Sequence, residues 1–483
     1  MSENKKVKIN SPLPRVSPES VGINTGDILN FINTADMKGL DLHSFMMLRD
    51  GKVYAEGYYK PYTPTTLQTV YSLSKSFTSF AVGLAVEDGI LKLTDRVVSF
   101  FPESEYNNEN GYMEQMTIKN LLSMSTGQEK EPPFDKISIE NFFKITPHEA
   151  PGQIFRYNTS ATYMLSAILK KKGIDLEEFL EERLLKHLGI EGLRWQRCPK
   201  GICYGGFGFS LIPECIAKFG QLLLNKGVWE GKRLISEAYL NEATSKIIRN
   251  SDDESQPNDW AQGYGYQFWQ CRYNSFRGDG MYGQLCVVSP DKKAVFAVTS
   301  YSNDIQGILN VYYDTILTKF HDSEITVSAF NEQSKQFNEV LSGLKVKNDA
   351  LQKLDFSSFA GKSYEAVTDR EDENMIIKFN DNSVHIIQNA FINNNKSEYK
   401  YIFEESPKTF YGSYFMSDFN DTAIFTSCGM KEDGTLCFDM AMLELLKFLR
   451  IALKFEEDRI SIICYDIQPD SNREIFKITA KEK

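Results

Sequence analysis

Ser72-Leu73-Ser74-Lys75 sets a hydroxyl and an amine three residues apart, at the head of a run with no charge between Ser76 and Val86. On a helix, residues i and i+3 share a face, so Lys75 is placed to take the hydroxyl proton of Ser72. The bare SxxK pattern is common: it starts at Ser2, Ser72, Ser289, Ser342 and Ser397. Only at Ser72 does it open a long uncharged segment. A lysine base is demanding, because its reference pKa is about 10.4 and bringing it near neutrality costs roughly 4 kcal/mol. Burial and a neighbouring cation supply such a shift. The bland alternative is a helix-capping serine with a surface lysine.

Two further groups carry possible chemistry. Phe155-Arg156-Tyr157-Asn158-Thr159 follows Pro151-Gly152 and places a phenol just ahead of a helical pattern, where it can relay a proton. Tyr157 also reads as a packed aromatic at a turn. Gly278-Asp279-Gly280-Met281-Tyr282-Gly283-Gln284 precedes an apolar run. Its glycines let backbone approach a ligand closely, and the Met281 N–H would then pair with that of Ser72 around an oxyanion. An ordinary glycine-rich hairpin turn fits these residues as well.

The elements that must hold these groups are legible in outline. Phe77, Phe80, Ala81, Leu84 and Ala85 recur at helical spacing, which predicts a helix over 72–87, buried nearly all round and ended by Asp88-Gly89. Its N-terminus would offer free N–H groups and a positive dipole end. A hairpin is expected over 44–59, turning at Asp50-Gly51. Helices are expected over 159–172, from Asp175 through His187, and over 213–225. Residues 276–300 read as two strands around a Pro-Asp turn. Strands at both ends with helices between predict an α+β or α/β/α layered fold. Residues 326–350 read as a linker with a short helix, and 351–483 as a β-rich barrel or sandwich.

Composition removes several classes of function. A net charge of −11 argues against a broad nucleic-acid surface. The eight cysteines form no CxxC pair and read as free thiols in a reducing compartment. The five histidines form no HExxH, and there is no GxSxG elbow. No metal and no cofactor are implied. No signal peptide or membrane span is read, so a cytoplasmic location is expected.

Taken in order, these pieces resemble the serine β-lactamase-like family: class C β-lactamases, D-alanyl-D-alanine carboxypeptidases and their esterase and amidase relatives. The resemblance covers about residues 15–320. It rests on SLSK at 72–75, LKLTDRVVSFFPE at 91–103, MTIKNLLSMSTG at 116–127, PGQIFRYNTSATYMLSAIL at 151–169, GGFGFSLIPECIAKFGQLLLNKG at 205–227, GYGYQFW at 263–269 and GDGMYGQ at 278–284. It implies an antiparallel sheet flanked by helices plus an all-helical part, within residues 1–325. It also implies an acyl-enzyme on Ser72, with Lys75 and Tyr157 sharing the acid–base work and the N–H groups of Ser72 and Met281 forming an oxyanion hole. Thr159, Gly278, Asp279 and Gly280 would contact substrate.

The departures narrow this expectation. Thr159 stands where the Tyr-x-Asn motif has its asparagine, and Gly278 replaces the Lys or His that helps hold the carboxylate of penicillin-like substrates. Asp279 would repel a carboxylate, although Arg277 beside it would offset that charge. The expectation is therefore a hydrolase of small neutral or amine-bearing esters, amides or short peptides. The alternative is a penicillin-binding or sensing module that acylates weakly or not at all.

Overall fold

The hairpin expected around Asp50-Gly51 lies inside a six-stranded antiparallel sheet. A computed structural model describes residues 7–106, 110–253, 255, 257–325, 332–346, 351–367, 374–392, 395–412, 422–456 and 459–483. Two compact units divide the chain, Met1–Lys345 and Val346–Lys483.

In the first unit the principal elements are α1 (Thr25–Met37), β1 (Leu42–Arg49), β2 (Lys52–Tyr58), α2 (Ser74–Glu87), α3 (Thr159–Lys171) and α4 (Pro213–Leu224). They continue with β3 (Trp269–Cys271), β4 (Ser275–Gly280), β5 (Gln284–Ser289), β6 (Ala294–Ser300), α5 (Ile305–Thr315) and α6 (Glu332–Gly343). The strand order is β3-β4-β5-β6-β1-β2, so the two ends of the unit meet where β6 pairs with β1.

Leu42 through Leu48 are all buried, which explains why β1 lacks the alternation of a one-sided strand: helices cover both faces. On one face Phe31 of α1 packs edge-on against Phe45 and Phe296, at 5.4 and 5.7 Å, and Tyr312 of α5 stacks on Phe296 at 4.3 Å. On the other, α4 lies against β5 and β6 at Cys286 and Val295. Helix α2 is buried from Ser74 to Ala85. Its hydroxyls are satisfied internally: Thr78 donates to the Gly205 carbonyl and Ser76 to that of Gln267, both at 2.8 Å. That satisfaction lets a hydroxyl-rich helix sit in a core.

The segment 326–350, expected to be a linker, contains α6, which packs on α1 and β2 within the first unit. Polar composition masks its narrow apolar stripe, since Phe337 and the following Leu344 are buried. Residues 326–331 and 347–350 lie outside the described residues.

The second unit is β-rich, as expected. Its strands are β7 (Ser363–Val367), β8 (Asn374–Phe379), β9 (Ser383–Ile392), β10 (Asn395–Glu404), β11 (Lys408–Gly412), β12 (Thr422–Met430), β13 (Leu436–Met442), β14 (Lys447–Glu456), β15 (Arg459–Gln468) and β16 (Ser471–Glu482). They form one ten-stranded antiparallel sheet in the order β10-β9-β8-β7-β16-β15-β14-β13-β12-β11. The sheet curls into a near-barrel around Tyr364, Ile377, Phe403, Phe438, Ile451 and Ile462. Between β12 and β10, Thr426 Oγ1 donates to the Ile402 carbonyl at 3.0 Å and Cys428 Sγ lies 3.6 Å from that of Glu404.

Candidate active site

Ser72 does not open the α-helix, contrary to the sequence expectation. Tyr71–Leu73 form a 3-10 turn, and α2 starts at Ser74. The turn is tightened by the Leu73 N–H, which donates to the Val70 carbonyl at 3.0 Å. Tyr71 has a left-handed backbone with φ 44°, a costly conformation for a bulky residue that characteristically accompanies functional turns. It presents Ser72 half-buried at the surface of the cleft.

Lys75, one helical turn on, is 1% exposed. Its Nζ lies 3.0 Å from Ser72 Oγ, donates to the Gly206 carbonyl at 2.8 Å, and lies 3.4 Å from Thr159 Oγ1. Burial pushes the amine down to about 7, while the charges of Glu131 and Asp279 pull it part of the way back. A neutral amine there donates to Gly206 and Thr159 and keeps its lone pair for the Ser72 proton. The neighbouring cation anticipated as a cause is not involved: desolvation does the work.

Tyr157 lies in the extended segment before Asn158, which caps α3 by accepting from the Ala161 N–H at 3.0 Å. Its hydroxyl hydrogen-bonds Ser72, and burial holds it well above the ordinary phenol range. Its ring stacks on Trp269 at 5.6 Å, with the Lys75 amine 4.9 Å from its centroid. Two titratable groups bonded to one hydroxyl are thus pushed in opposite directions, the pattern that separates base from acid.

Strand β4 runs directly against the Ser72 turn. A Cβ on Gly280 would stand 2.1 Å from the Val70 carbonyl oxygen, and one on Gly278 would stand 2.3 Å from Leu73 Cδ1. Only bare backbone fits there, and Met281 is the next residue after Gly280. The Met281 side chain is 55% exposed. Asp279 Oδ2 accepts from Arg277 Nε at 2.7 Å. Arg277 is fully buried; it also donates to the Asp259 carbonyl at 2.7 Å and lies over Trp260 at 4.6 Å. The structure therefore brings Ser72, Thr159 and Tyr157 around the Lys75 amine, packs Gly278 and Gly280 against the Ser72 turn with Met281 next in the chain, and pairs Asp279 with Arg277.

Glu131 was not singled out in the sequence. Its Oε2 accepts from the N–H groups of Thr159 and Ser160, the latter at 3.1 Å. It sits in Gln128-Glu129-Lys130-Glu131-Pro132-Pro133, which reads as a charged loop and carries no spacing signal. Trp269 was also missed as a support for Tyr157; the GYGYQFW run gave only the resemblance.

None of the five histidines is a competing base at this site. His43 is the buried one; its ring stacks on Tyr62 at 4.0 Å, its Nδ1 lies 3.0 Å from Gln68 Oε1, and burial pushes it down to about 3. Among the described residues no group of three His, Cys, Asp or Glu is placed to hold a metal ion, and no helix is long and apolar enough to cross a membrane.

A sheet closed by pairing its two chain ends, faced by a buried serine–lysine helix, defines the class, and the sequence agrees: residues 43–307 match the Beta-lactamase family, to which this chain belongs. The chain is 22% identical over 287 residues to the 6-aminohexanoate-dimer hydrolase of Paenarthrobacter ureafaciens, which covers 53% of this chain and 72% of that protein. Among solved structures it is similar to a candidate β-lactamase from Bacteroides dorei DSM 17855, with a TM-score of 0.53 and 14% identity over 61% of this chain and 98% of that one. A candidate 6-aminohexanoate-dimer hydrolase from Bacillus anthracis gives a TM-score of 0.50 and 18% identity over 65% of this chain and 89% of that one. At these identities the likeness to solved structures is one of fold.

Proposed function

We propose that this protein is a serine hydrolase that cleaves a small ester, amide or short peptide through an acyl-enzyme on Ser72. The observation that carries the reading is the buried Lys75 amine, held near neutrality 3.0 Å from Ser72 Oγ. In the proposed first step Ser72 Oγ attacks the carbonyl carbon and its proton passes to Lys75 Nζ. The oxyanion is held by the N–H groups of Ser72 and Met281. Tyr157, protonated and bonded to Ser72, relays the proton from Lys75 to the leaving oxygen or nitrogen as its bond to the acyl carbon breaks. In the second step water attacks the ester of Ser72, its proton passes to Lys75, and Ser72 Oγ departs and recovers a proton.

The Paenarthrobacter relative is named as a hydrolase of a 6-aminohexanoate dimer, which supports a small hydrolysable molecule as substrate. The strand motif supports a substrate without the penicillin-type carboxylate, because Gly278 offers no cation there. The test is labelling by a fluorophosphonate probe, with turnover of p-nitrophenyl esters and D-amino-acid amides by the wild type and Ser72→Ala. Labelling and turnover that both vanish in a folded Ser72→Ala protein support the reading. No labelling of the folded wild type refutes it. A stable adduct without turnover selects the weakly acylating module instead, the reading that the altered Thr159 and Gly278 positions motivate.

A further inference from the structure

Two side-chain oxygens close the start of α3. Asn158 Oδ1 takes the N–H of Ala161 at 3.0 Å and the hydroxyl of Ser160 at 2.6 Å. Glu131 Oε2 takes the N–H of both Thr159 and Ser160. A helix N-terminus with free N–H groups is a ready anion site; here it is filled by a carboxylate of the chain itself. That carboxylate borders the reaction centre, since Thr159, whose N–H it takes, has its Oγ1 3.4 Å from Lys75 Nζ.

The arginines of the strand motif and of the Tyr157 segment are already paired. Arg277 is buried, with its charge matched by Asp279, and Arg156 on the Tyr157 segment pairs with Glu149 at 3.2 Å. Lys130, next to Glu131, is exposed to solvent. Exposed aromatic and apolar side chains instead flank the Glu131 and Tyr157 segments. Phe134, three residues after Glu131, is 61% exposed and lies 4.3 Å from Phe207, the neighbour of the Gly206 carbonyl that holds Lys75. Ile154, three residues before Tyr157, is also exposed. A carboxylate three residues from an exposed aromatic side chain suits a cation on an apolar stem.

We propose that Glu131 is a specificity-determining residue: it shuts the α3 N-terminus to substrate anions and selects esters and amides that carry a positive charge on the part lying over that helix. This rests on the acyl-enzyme reading and deepens it by naming a substrate class. Asp279 was expected to repel carboxylates. Arg277 pairs with Asp279 and offsets part of that charge, and Glu131 adds a second carboxylate on the α3 side.

The test uses three p-nitrophenyl esters of matched acyl length, ending in a trimethylammonium group, a branched alkyl group or a carboxylate. The full-length wild type is expected to rank them cationic, neutral, anionic in kcat/KM. Glu131→Gln keeps an oxygen acceptor for both N–H groups and removes the charge, so the cationic-to-anionic ratio is expected to fall about tenfold or more. As a check that needs no variant, the wild-type ratio should also fall as salt rises from about 0.02 to about 0.5 M, because screening weakens the interaction. Turnover of the neutral ester with a preference for the anionic one overturns the proposal and leaves the hydrolase reading standing. So does a ratio that Glu131→Gln and salt both leave unchanged. Turnover of none of the three overturns the hydrolase reading itself and this inference with it.

Discussion

Arg277 Nε lies 2.7 Å from Asp279 Oδ2, and the pair is buried two residues apart on the strand that faces Ser72. A buried pair of this kind adds little net stability, yet removing one partner strands the other. Arg277→Met is therefore expected to destabilise the first unit by about 3–5 kcal/mol, read as a lower denaturant midpoint. Arg277→Met with Asp279→Asn should recover much of that loss. A double variant no more stable than Arg277→Met would show that the pair is not coupled.

Lys75 is held out of its preferred charge state, and that has a sign in stability. Free lysine keeps its proton up to about 10.4, whereas the folded amine releases it near 7. Between those values the unfolded chain binds more protons, so wild-type stability rises with pH across that window, and the full deficit is present below it. Lys75→Met should abolish turnover and, at pH 7, raise stability by about 1–3 kcal/mol after its lost hydrogen bonds are counted. The gain should shrink toward pH 10 in paired urea melts. A variant less stable than wild type at pH 7 contradicts the buried neutral amine.

The same amine sets the rate profile. With neutral Lys75 as base, kcat/KM for an uncharged ester should rise with pH through about 7. Tyr157 is pushed upward by burial, so no descending limb from its ionisation is expected below about 10. Glu131 raises the proton affinity of Lys75, as Asp279 does; Glu131→Gln should therefore move the ascending limb to lower pH. Movement to higher pH would contradict the assignment.

Tyr157→Phe keeps the ring that stacks on Trp269 and removes only the hydroxyl bonded to Ser72. Melting should change little, while acylation should slow by about 10²–10⁴, the usual scale for a positioned acid–base group. Stopped-flow release of p-nitrophenol measures this; an unchanged burst rate would leave Tyr157 with a packing role.

Gly280→Ala places a Cβ 2.1 Å from the Val70 carbonyl oxygen, a contact relieved only by moving β4 off the Ser72 turn. Such overpacking costs about 1–3 kcal/mol. Fluorophosphonate labelling should fall even where the protein still melts cooperatively. Labelling at the wild-type rate would separate the glycine strand from the oxyanion hole.

Some of this arrangement was legible in the sequence because it is local. The uncharged run after Ser76 foretold the burial of α2, and Asn158 and Gly173 bracket α3 with ordinary cap chemistry. What was missed is set by tertiary contact. The 3-10 turn at Ser72 depends on the left-handed Tyr71, which no propensity favours. Glu131 reaches α3 only because its loop folds back across 28 residues of chain. In the second unit, β14 alternates Arg450 and Lys454 with apolar residues, and it becomes a strand because Arg450 finds Asp439 directly across the ladder at 2.6 Å. Periodicity reports which face is apolar, but not which charge will meet its partner.

The seam of the ten-stranded sheet has a thermodynamic meaning of its own. Elsewhere neighbouring strands exchange main-chain hydrogen bonds in register, so no strand leaves without breaking a whole row. At Thr426 and Cys428 the link to β10 is made by a hydroxyl and a thiol on carbonyl oxygens. Among the described residues, strand β10 is therefore fastened along one edge by a continuous ladder to β9 and along the other by these side-chain tethers. The lowest-energy partial opening of this unit should begin there, with the outward amides of β10 exchanging with solvent before those of β15, which is laddered on both sides.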